Sequence, residues 1–170
     1  FLDLERGGKV NALNKMIDIA LGDFLVFTDA NTFFDENTVQ EMMKMFSDKN
    51  VGCVSGQLRY KTNINSDSGA KSESLYWKYE NWIKQLESNI GSLSGGNGAI
   101  YSIKRNICNQ IPKGVINDDF FITLSVQKSG YNVLLNSDAI AYEEPNGSIQ
   151  SQFIRHVRDG AGHYQAMSLF

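Results

Sequence analysis

A chain of 170 residues with 42% hydrophobic and 21% charged side chains has the composition of a globular protein, and its length suits one domain over residues 1–170 with a sizeable core. The formal net charge is −3; with no basic block, this argues against a nucleic-acid partner. No apolar run reaches the roughly 20 residues that cross a bilayer, and no signal peptide opens the chain.

The chain begins on Phe1-Leu2-Asp3-Leu4 without a Met and reads as part of a longer protein. Val10, Leu13, Ile17 and Leu21 repeat at helical spacing, with Gly22 as a stop. Phe24 to Phe27 is a continuous apolar run, which predicts a strand buried on both faces. Asp35 can cap a following helix whose buried stripe is Val39, Met42, Met43 and Phe46. Val51 to Tyr60 predicts a strand, and the polar segment 61–70 a loop. Leu75, Tyr79, Trp82, Leu86 and Ile90 mark a long amphipathic helix. The loop Ser94-Gly95-Gly96-Asn97-Gly98 leads into an apolar run from Ala99 to Ile103. Asp118 to Ser129 predicts a short helix stopped by Gly130. Tyr131 to Leu135 and Ala139 to Tyr142 predict two short strands. A last helix starts at Ile149, with Phe153, Val157, Ala161, Tyr164 and Ser168 on one side. This alternation predicts an α/β layered domain with a mostly parallel sheet, whose ligands bind at the carboxyl ends of the strands. Cys53 and Cys108 lie far apart among apolar neighbours, without zinc spacing, and read as reduced thiols.

Four groups of residues can carry chemistry. Asp29-Ala30-Asn31 follows the Phe24 strand directly, so two oxygen-bearing side chains at i and i+2 can reach one hard cation such as Mg²⁺ or Mn²⁺. A polar turn accounts for the same triplet. Gly7-Gly8-Lys9 before a helix suits a phosphate, or is a tight turn with a solvated lysine; the full P-loop pattern is absent. Asp118-Asp119 at a helix start can divide the work of a general base and an orienting group, or simply complement the helix dipole. Gln152, Arg155, His156, Asp159 and His163, with Arg158 close by, make a helix face suited to diphosphate recognition, or an ordinary polar face. Tyr76, Trp77, Tyr79 and Trp82 could stack on sugars, although Tyr79 and Trp82 fit a core stripe better.

The order of these motifs carries more than any one of them. Gly8-Lys9-Val10-Asn11-Ala12-Leu13-Asn14 resembles the G-K-x-x-A-L-N segment of family 2 glycosyltransferases, and Asp29-Ala30-Asn31 stands where that family has its D-x-D metal motif. Ser94 to Arg105 resembles its glycine loop and following strand, Asp118-Asp119 its E-D motif, and Gln152-Phe153-Ile154-Arg155-His156 its Q-x-x-R-W motif. The resemblance covers Gly7 to about Gln165 and extends to members that make polysaccharides at membranes.

The resemblance implies a GT-A fold, a Rossmann-like mostly parallel sheet flanked by helices and incomplete at the N-terminus. It implies an inverting transfer from a nucleoside diphosphate sugar, most simply a UDP-sugar, to a saccharide or lipid-linked acceptor. Under it, Asp29 holds Mg²⁺ or Mn²⁺ and Asp119 is the general base, with Asp118 positioning the acceptor. Lys9, Asn31, Gly95, Gly96, Asn97, Gln152, Arg155, His156 and Arg158 contact the substrates. A place at the cytoplasmic face of a membrane follows, held there by segments outside this soluble piece. Asn31 for the second Asp weakens the charge of the cation site, and His156 for Trp speaks against a processive polymerase. The family's first strand and base-binding Asp positions are expected upstream of Phe1, so these residues alone are expected to be inactive. A nucleotidyltransferase-like domain and a non-catalytic sugar-binding remnant are the competing readings.

Overall fold

The computed structural model describes residues 2–60, 79, 82–144 and 149–170, the side chains of 149–153 and 155 excepted. Within them run α1 (Lys9–Ile19), β1 (Phe24–Thr28), β2 (Phe33–Phe34), α2 (Thr38–Met45) and β3 (Val51–Tyr60). A helical segment over 82–90, called α3, comes next. After it come β4 (Ile100–Lys104), a 3₁₀ turn (Arg105–Ile107), α4 (Asp118–Lys128), β5 (Asn132–Glu143) and α5 (Ile149–Met167).

The five strands form one sheet in the order β1-β4-β3-β5-β2. The β1–β4, β3–β4 and β2–β5 pairs are antiparallel, and only β3 and β5 run parallel. The mostly parallel, Rossmann-like sheet expected from the sequence is therefore corrected to a mostly antiparallel sheet flanked by helices. The reason lies in β4. It inserts between β1 and β3 against the direction of both, and a short apolar run carries no information about its own direction. β1, β3 and β5 run in one direction, but with β4 between β1 and β3 only β3 and β5 meet as a parallel pair among the described residues.

Among the described residues β1 pairs with β4. Its residues alternate between exposed and half-buried, so it is not buried on both faces. Leu25 and Phe27 pack inward against the cluster of Cys53, Tyr101, Ile103, Phe121, Val126 and Val133, while Phe24 turns to the other face and meets the Phe46 ring at 4.6 Å. That second face is filled by Met42, Phe46, Val51, Val54, Ile100 and Ala141 beneath α2. In α2 the stripe holds at Met42 and Phe46, with Val39 46% exposed; Asn37 takes the N-cap position, and the Asp35 carboxylate accepts only from the Asn37 N–H at 3.5 Å.

The two short strands expected at 131–142 are one long strand. Its register against β3 jumps from Gly56↔Asn136 to Gln57↔Ile140, so Ser137, Asp138 and Ala139 bulge from the ladder without ending it. Asn136 stabilises the bulge, donating to the Glu41 carbonyl and accepting from the Asp138 N–H, both at 2.9 Å. α5 also turns differently from expectation. Val157 and Tyr164 are exposed, whereas Gly162 and Ala166 are buried, so the helix docks through its small residues. A Cβ at Gly162 would stand 2.5 Å from the Asn117 side chain, which is why glycine is needed at this approach.

Both cysteines are free, Cys53 buried and Cys108 half-buried. No helix among the described residues is long and apolar enough to cross a membrane. The loop at 61–70 and the positions Leu75, Tyr76 and Trp77 lie outside the described residues.

Candidate active site

A cleft of about 710 Å³ opens where β1, β3 and β5 end and β4 begins. Its walls come from six directions: Lys9 at the start of α1, Asp29 and Asn31 after β1, the Gly96-Asn97-Gly98 loop, Asp118 and Asp119 at the start of α4, Glu143 at the end of β5, and Arg158, Asp159 and His163 on α5. The cleft lies at the carboxyl ends of β1, β3 and β5, the ends at which ligands were expected, although the sheet is not the parallel one from which that expectation was drawn.

The α1 start is set by Gly8, whose φ of 81° is a left-handed conformation that glycine adopts without strain. Lys9 then projects its ammonium to 3.1 Å from Asp118 Oδ1 and 3.8 Å from Asp29 Oδ1. Asn14, one helical turn on, fixes α1 to the chain beyond β4: its amide donates to the Ile111 carbonyl and accepts from the Ile111 N–H, both at 2.8 Å. The G-K-x-x-A-L-N segment therefore has one residue in the cleft and one that fastens the helix carrying it.

The glycine loop is shaped by what stands behind it. Ser55 accepts the Asn97 N–H at 2.9 Å, and the Asn97 side-chain oxygen accepts the Ala99 N–H at 3.1 Å. With that oxygen spent on the turn, the Asn97 NH₂ is what it can offer a ligand. Cβ atoms at Gly95 and Gly96 would fall 2.9 Å from the Phe120 ring and 3.0 Å from Thr123, so both glycines let the loop lie against α4. At Gly98 a Cβ would stand 2.6 Å from Asp119 Oδ2. The absent side chain is what leaves that carboxylate open to the cleft.

Asp118 and Asp119 occupy the first turn of α4, where acidic side chains complement the helix dipole. Asp118 is buried against Lys9. Asp119 has its pKa raised from the ordinary carboxylate value of 3.8, first because burial penalises its charge and then because Asp118 lies beside it; the Phe120 N–H, Lys9 and its own N–H partly oppose this. α5 is held against this helix start by Asn117, which donates to the Asp159 carbonyl at 3.0 Å, and by Gln165, which accepts from the Ile116 N–H at 2.9 Å. His163 packs on Phe120 with ring centroids 4.4 Å apart, and Arg158 pairs with Asp159 at 3.3 Å.

The fold brings together Lys9, Asp29, Asn31, Gly96, Asn97, Asp118, Asp119 and Arg158 in one cleft, with Gly95 behind it. His156 is exposed and outside the lining, and the side chains of Gln152 and Arg155 lie outside the described residues. Of the aromatic residues, Tyr79 and Trp82 are 59% and 58% exposed, so they are not the core stripe expected of them.

Glu143 and Lys84 line the cleft and escaped the sequence reading. For Glu143 a signal existed, since it ends a strand, but an acidic pair before a proline has no distinctive spacing. Glu143 is 5% exposed, and the Thr32 hydroxyl donates to its Oε1 at 2.5 Å. Thr32 in turn donates its N–H to the Asp29 carbonyl at 3.1 Å, closing the Asp29–Thr32 turn. Thr32→Val is expected to cost about 1–3 kcal/mol, because a buried carboxylate would lose its donor, while Thr32→Ser keeps the bond. Denaturant midpoints of the two variants check this; equal stability of Thr32→Val and wild type would refute it.

Among the described residues no group of three or more His, Cys, Asp or Glu side chains could hold a metal ion alone. A hard cation shared with phosphates asks for less, one or two carboxylates with other oxygens. Asp29 and Asn31 both line the cleft, and a carboxylate with an amide oxygen is a donor set that could meet that smaller demand.

Comparison with known proteins agrees with this architecture. The chain is 26% identical over 168 residues to poly-beta-1,6-N-acetyl-D-glucosamine synthase of Staphylococcus aureus, covering 94% of this chain and 40% of that one. The chain thus spans about two fifths of the length of the curated relatives it matches. Among solved structures, a mannosyltransferase from Pyrobaculum calidifontis in complex with GDP-Man and Mn²⁺ superposes with a TM-score of 0.78 at 23% identity, over 98% of this chain and 45% of the other. Glucosyl-3-phosphoglycerate synthase from Mycobacterium tuberculosis, in complex with Mn²⁺ and UDP-glucose, gives 0.58 at 13% identity, over 96% and 56%. At these identities the structures establish a GT-A glycosyltransferase fold. The motifs resembled family 2; the family model that matches, over residues 5–161, describes glycosyl transferase family 21, and both lead to that fold. The chain belongs to glycosyl transferase family 21.

Proposed function

We propose that these residues form the catalytic domain of a transferase that moves a sugar from a nucleoside diphosphate sugar, most simply a UDP-sugar, to a hydroxyl of a saccharide or lipid-linked acceptor, with inversion at the anomeric carbon. The observation that carries this reading is Asp119: a carboxylate with raised pKa at a helix start, facing the place where Gly98 has no side chain. A base with that affinity for a proton suits an acceptor hydroxyl better than an ordinary surface aspartate would.

In this reading Asp119 takes the proton of the acceptor O–H. The acceptor oxygen forms its bond to the anomeric carbon as the bond from that carbon to the donor phosphate oxygen breaks, and the diphosphate leaves with the electron pair. One displacement inverts the centre, so a single base is enough. Asp118, held by Lys9, orients the acceptor. Lys9 and Arg158 neutralise part of the diphosphate charge. Asp29 and Asn31 would hold Mg²⁺ or Mn²⁺, which when bound stabilises the negative charge of the leaving diphosphate. His156, Gln152 and Arg155 on the same helix are assigned to the donor side by family resemblance alone. The whole protein is assigned to a cytoplasmic membrane face on the same ground.

The test is a transfer assay on the whole protein with UDP-sugars, following phosphorus products and the anomeric configuration by NMR. Nucleoside diphosphate with inverted product is the expected result. Formation of sugar 1-phosphate and UTP when pyrophosphate is added would identify a nucleotidyltransferase instead, and binding without turnover a non-catalytic sugar-binding domain.

A further inference from the structure

We propose that Lys9 is a built-in competitor of the divalent cation, so that the cation binds weakly alone and cooperatively with a nucleoside diphosphate. This rests on the nucleotide-sugar reading above.

Lys9 is within ion-pair distance of two carboxylates of the cleft. Its ammonium is 3.8 Å from Asp29 Oδ1 and 3.1 Å from Asp118 Oδ1. Asp29 is the one carboxylate of the Asp29-Ala30-Asn31 turn, since the next polar position is an amide. Without ligand, the charge of Asp29 is therefore already partly answered. A cation arriving on Asp29 would stand within a few ångströms of a fixed positive charge, and like charges that close repel strongly outside bulk water.

Lys9 cannot simply retreat. Its helix is fastened through Asn14 to Ile111, and its shorter contact is to Asp118, whose side chain is only 9% exposed. If Lys9 swung into solvent, Asp118 would be left buried without its counter-charge, which costs more than the loss of an exposed pair. Arg158, the other cation named above, has its own partner in Asp159. The repulsion is relieved when a diphosphate brings negative charge between Lys9 and the cation. Each ligand then strengthens the other by the same factor, as linkage requires.

Phosphate oxygens ligating the cation would produce some coupling in any such site, so the test isolates the share due to Lys9. Mn²⁺ is titrated into the whole protein by calorimetry, with and without saturating UDP, for wild type, Lys9→Met and Lys9→Arg. Lys9→Met leaves the buried Asp118 without its counter-charge, so unfolding curves are recorded beside the titrations to show that the variant titrated is folded, whereas Lys9→Arg keeps the charge. Lys9→Met should bind Mn²⁺ alone about five- to tenfold more tightly than wild type and lose a similar factor of UDP–Mn²⁺ coupling, at the low end of the usual range for linked sites. Lys9→Arg should behave as wild type. If Mn²⁺ binds with UDP but Lys9→Met binds Mn²⁺ alone no more tightly than wild type, the proposal is wrong and the nucleotide-sugar reading stands. If none of the three binds Mn²⁺ with UDP present, both fall.

Discussion

Asp119→Asn is expected to lower turnover ~10²–10⁴-fold, the usual contribution of a general base, while donor binding stays nearly intact. The amide keeps the shape of the side chain at the start of α4 and removes its ability to take a proton. Asp119 stands against the open position at Gly98, and the loss of a proton acceptor should be felt in kcat more than in the donor KM. Two companion measurements separate chemistry from stability. In the wild type, burial and the neighbouring Asp118 raise the Asp119 pKa above 3.8. The acidic limb of the rate profile should therefore lie above the ordinary carboxylate range, because the base must be ionised. For stability the sign is opposite to that of a salt-bridged carboxylate. The folded state holds the Asp119 proton more tightly than the unfolded chain does, so ionising this group weakens the fold as pH rises through the folded pKa. Asp119→Asn should then be at least as stable as wild type at neutral pH, and the difference should vanish below the unfolded value near 3.8. Near wild-type turnover at saturating substrate would remove Asp119 from the mechanism.

Asp29→Ala is expected to abolish Mn²⁺- or Mg²⁺-dependent donor binding. Its large effect follows from how little the protein offers the cation. Among the described residues no group of three His, Cys, Asp or Glu side chains is available, and Asp29 is the one carboxylate of the Asp29-Ala30-Asn31 turn. Losing one hard anionic ligand from so small a set removes most of the reason for the cation to bind. Asn31→Asp should preserve or tighten cation binding by adding a second carboxylate to the turn. Asp29 is 41% exposed, so its removal should leave the thermal unfolding curve nearly unchanged. Calorimetric titration with donor present is the measurement; equal cation affinity in Asp29→Ala and wild type would refute the assignment.

Much of the site was legible because motif residues are local. Asp29 had to follow a strand and Asp118-Asp119 had to open a helix, and both signals depend on a few adjacent residues. The long strand Val51–Tyr60 was equally plain from its own composition. What failed was whatever depends on neighbours distant in sequence. The Phe24 to Phe27 run is apolar throughout, yet exposed and half-buried positions alternate along β1, and nothing within those residues reports what covers each face. The α5 periodicity was real, but the face it marks is exposed, because close approach to Asn117 selected Gly162 and Ala166 for the contact.

The sequence by itself determined the order of elements, most of their extents and the identity of the charged residues gathered in the cleft, since these follow from local propensity and from motifs. The tertiary structure alone decided three further matters. It reversed β4 between β1 and β3, making the sheet mostly antiparallel. It brought Lys9 against Asp29 and Asp118, across 20 and 109 positions of chain. It also set the buried Glu143 behind the Asp29–Thr32 turn through Thr32. Strand direction and contacts of this range are fixed by which packing buries the most apolar surface while pairing the most polar groups, a sum over the whole chain that no single segment contains.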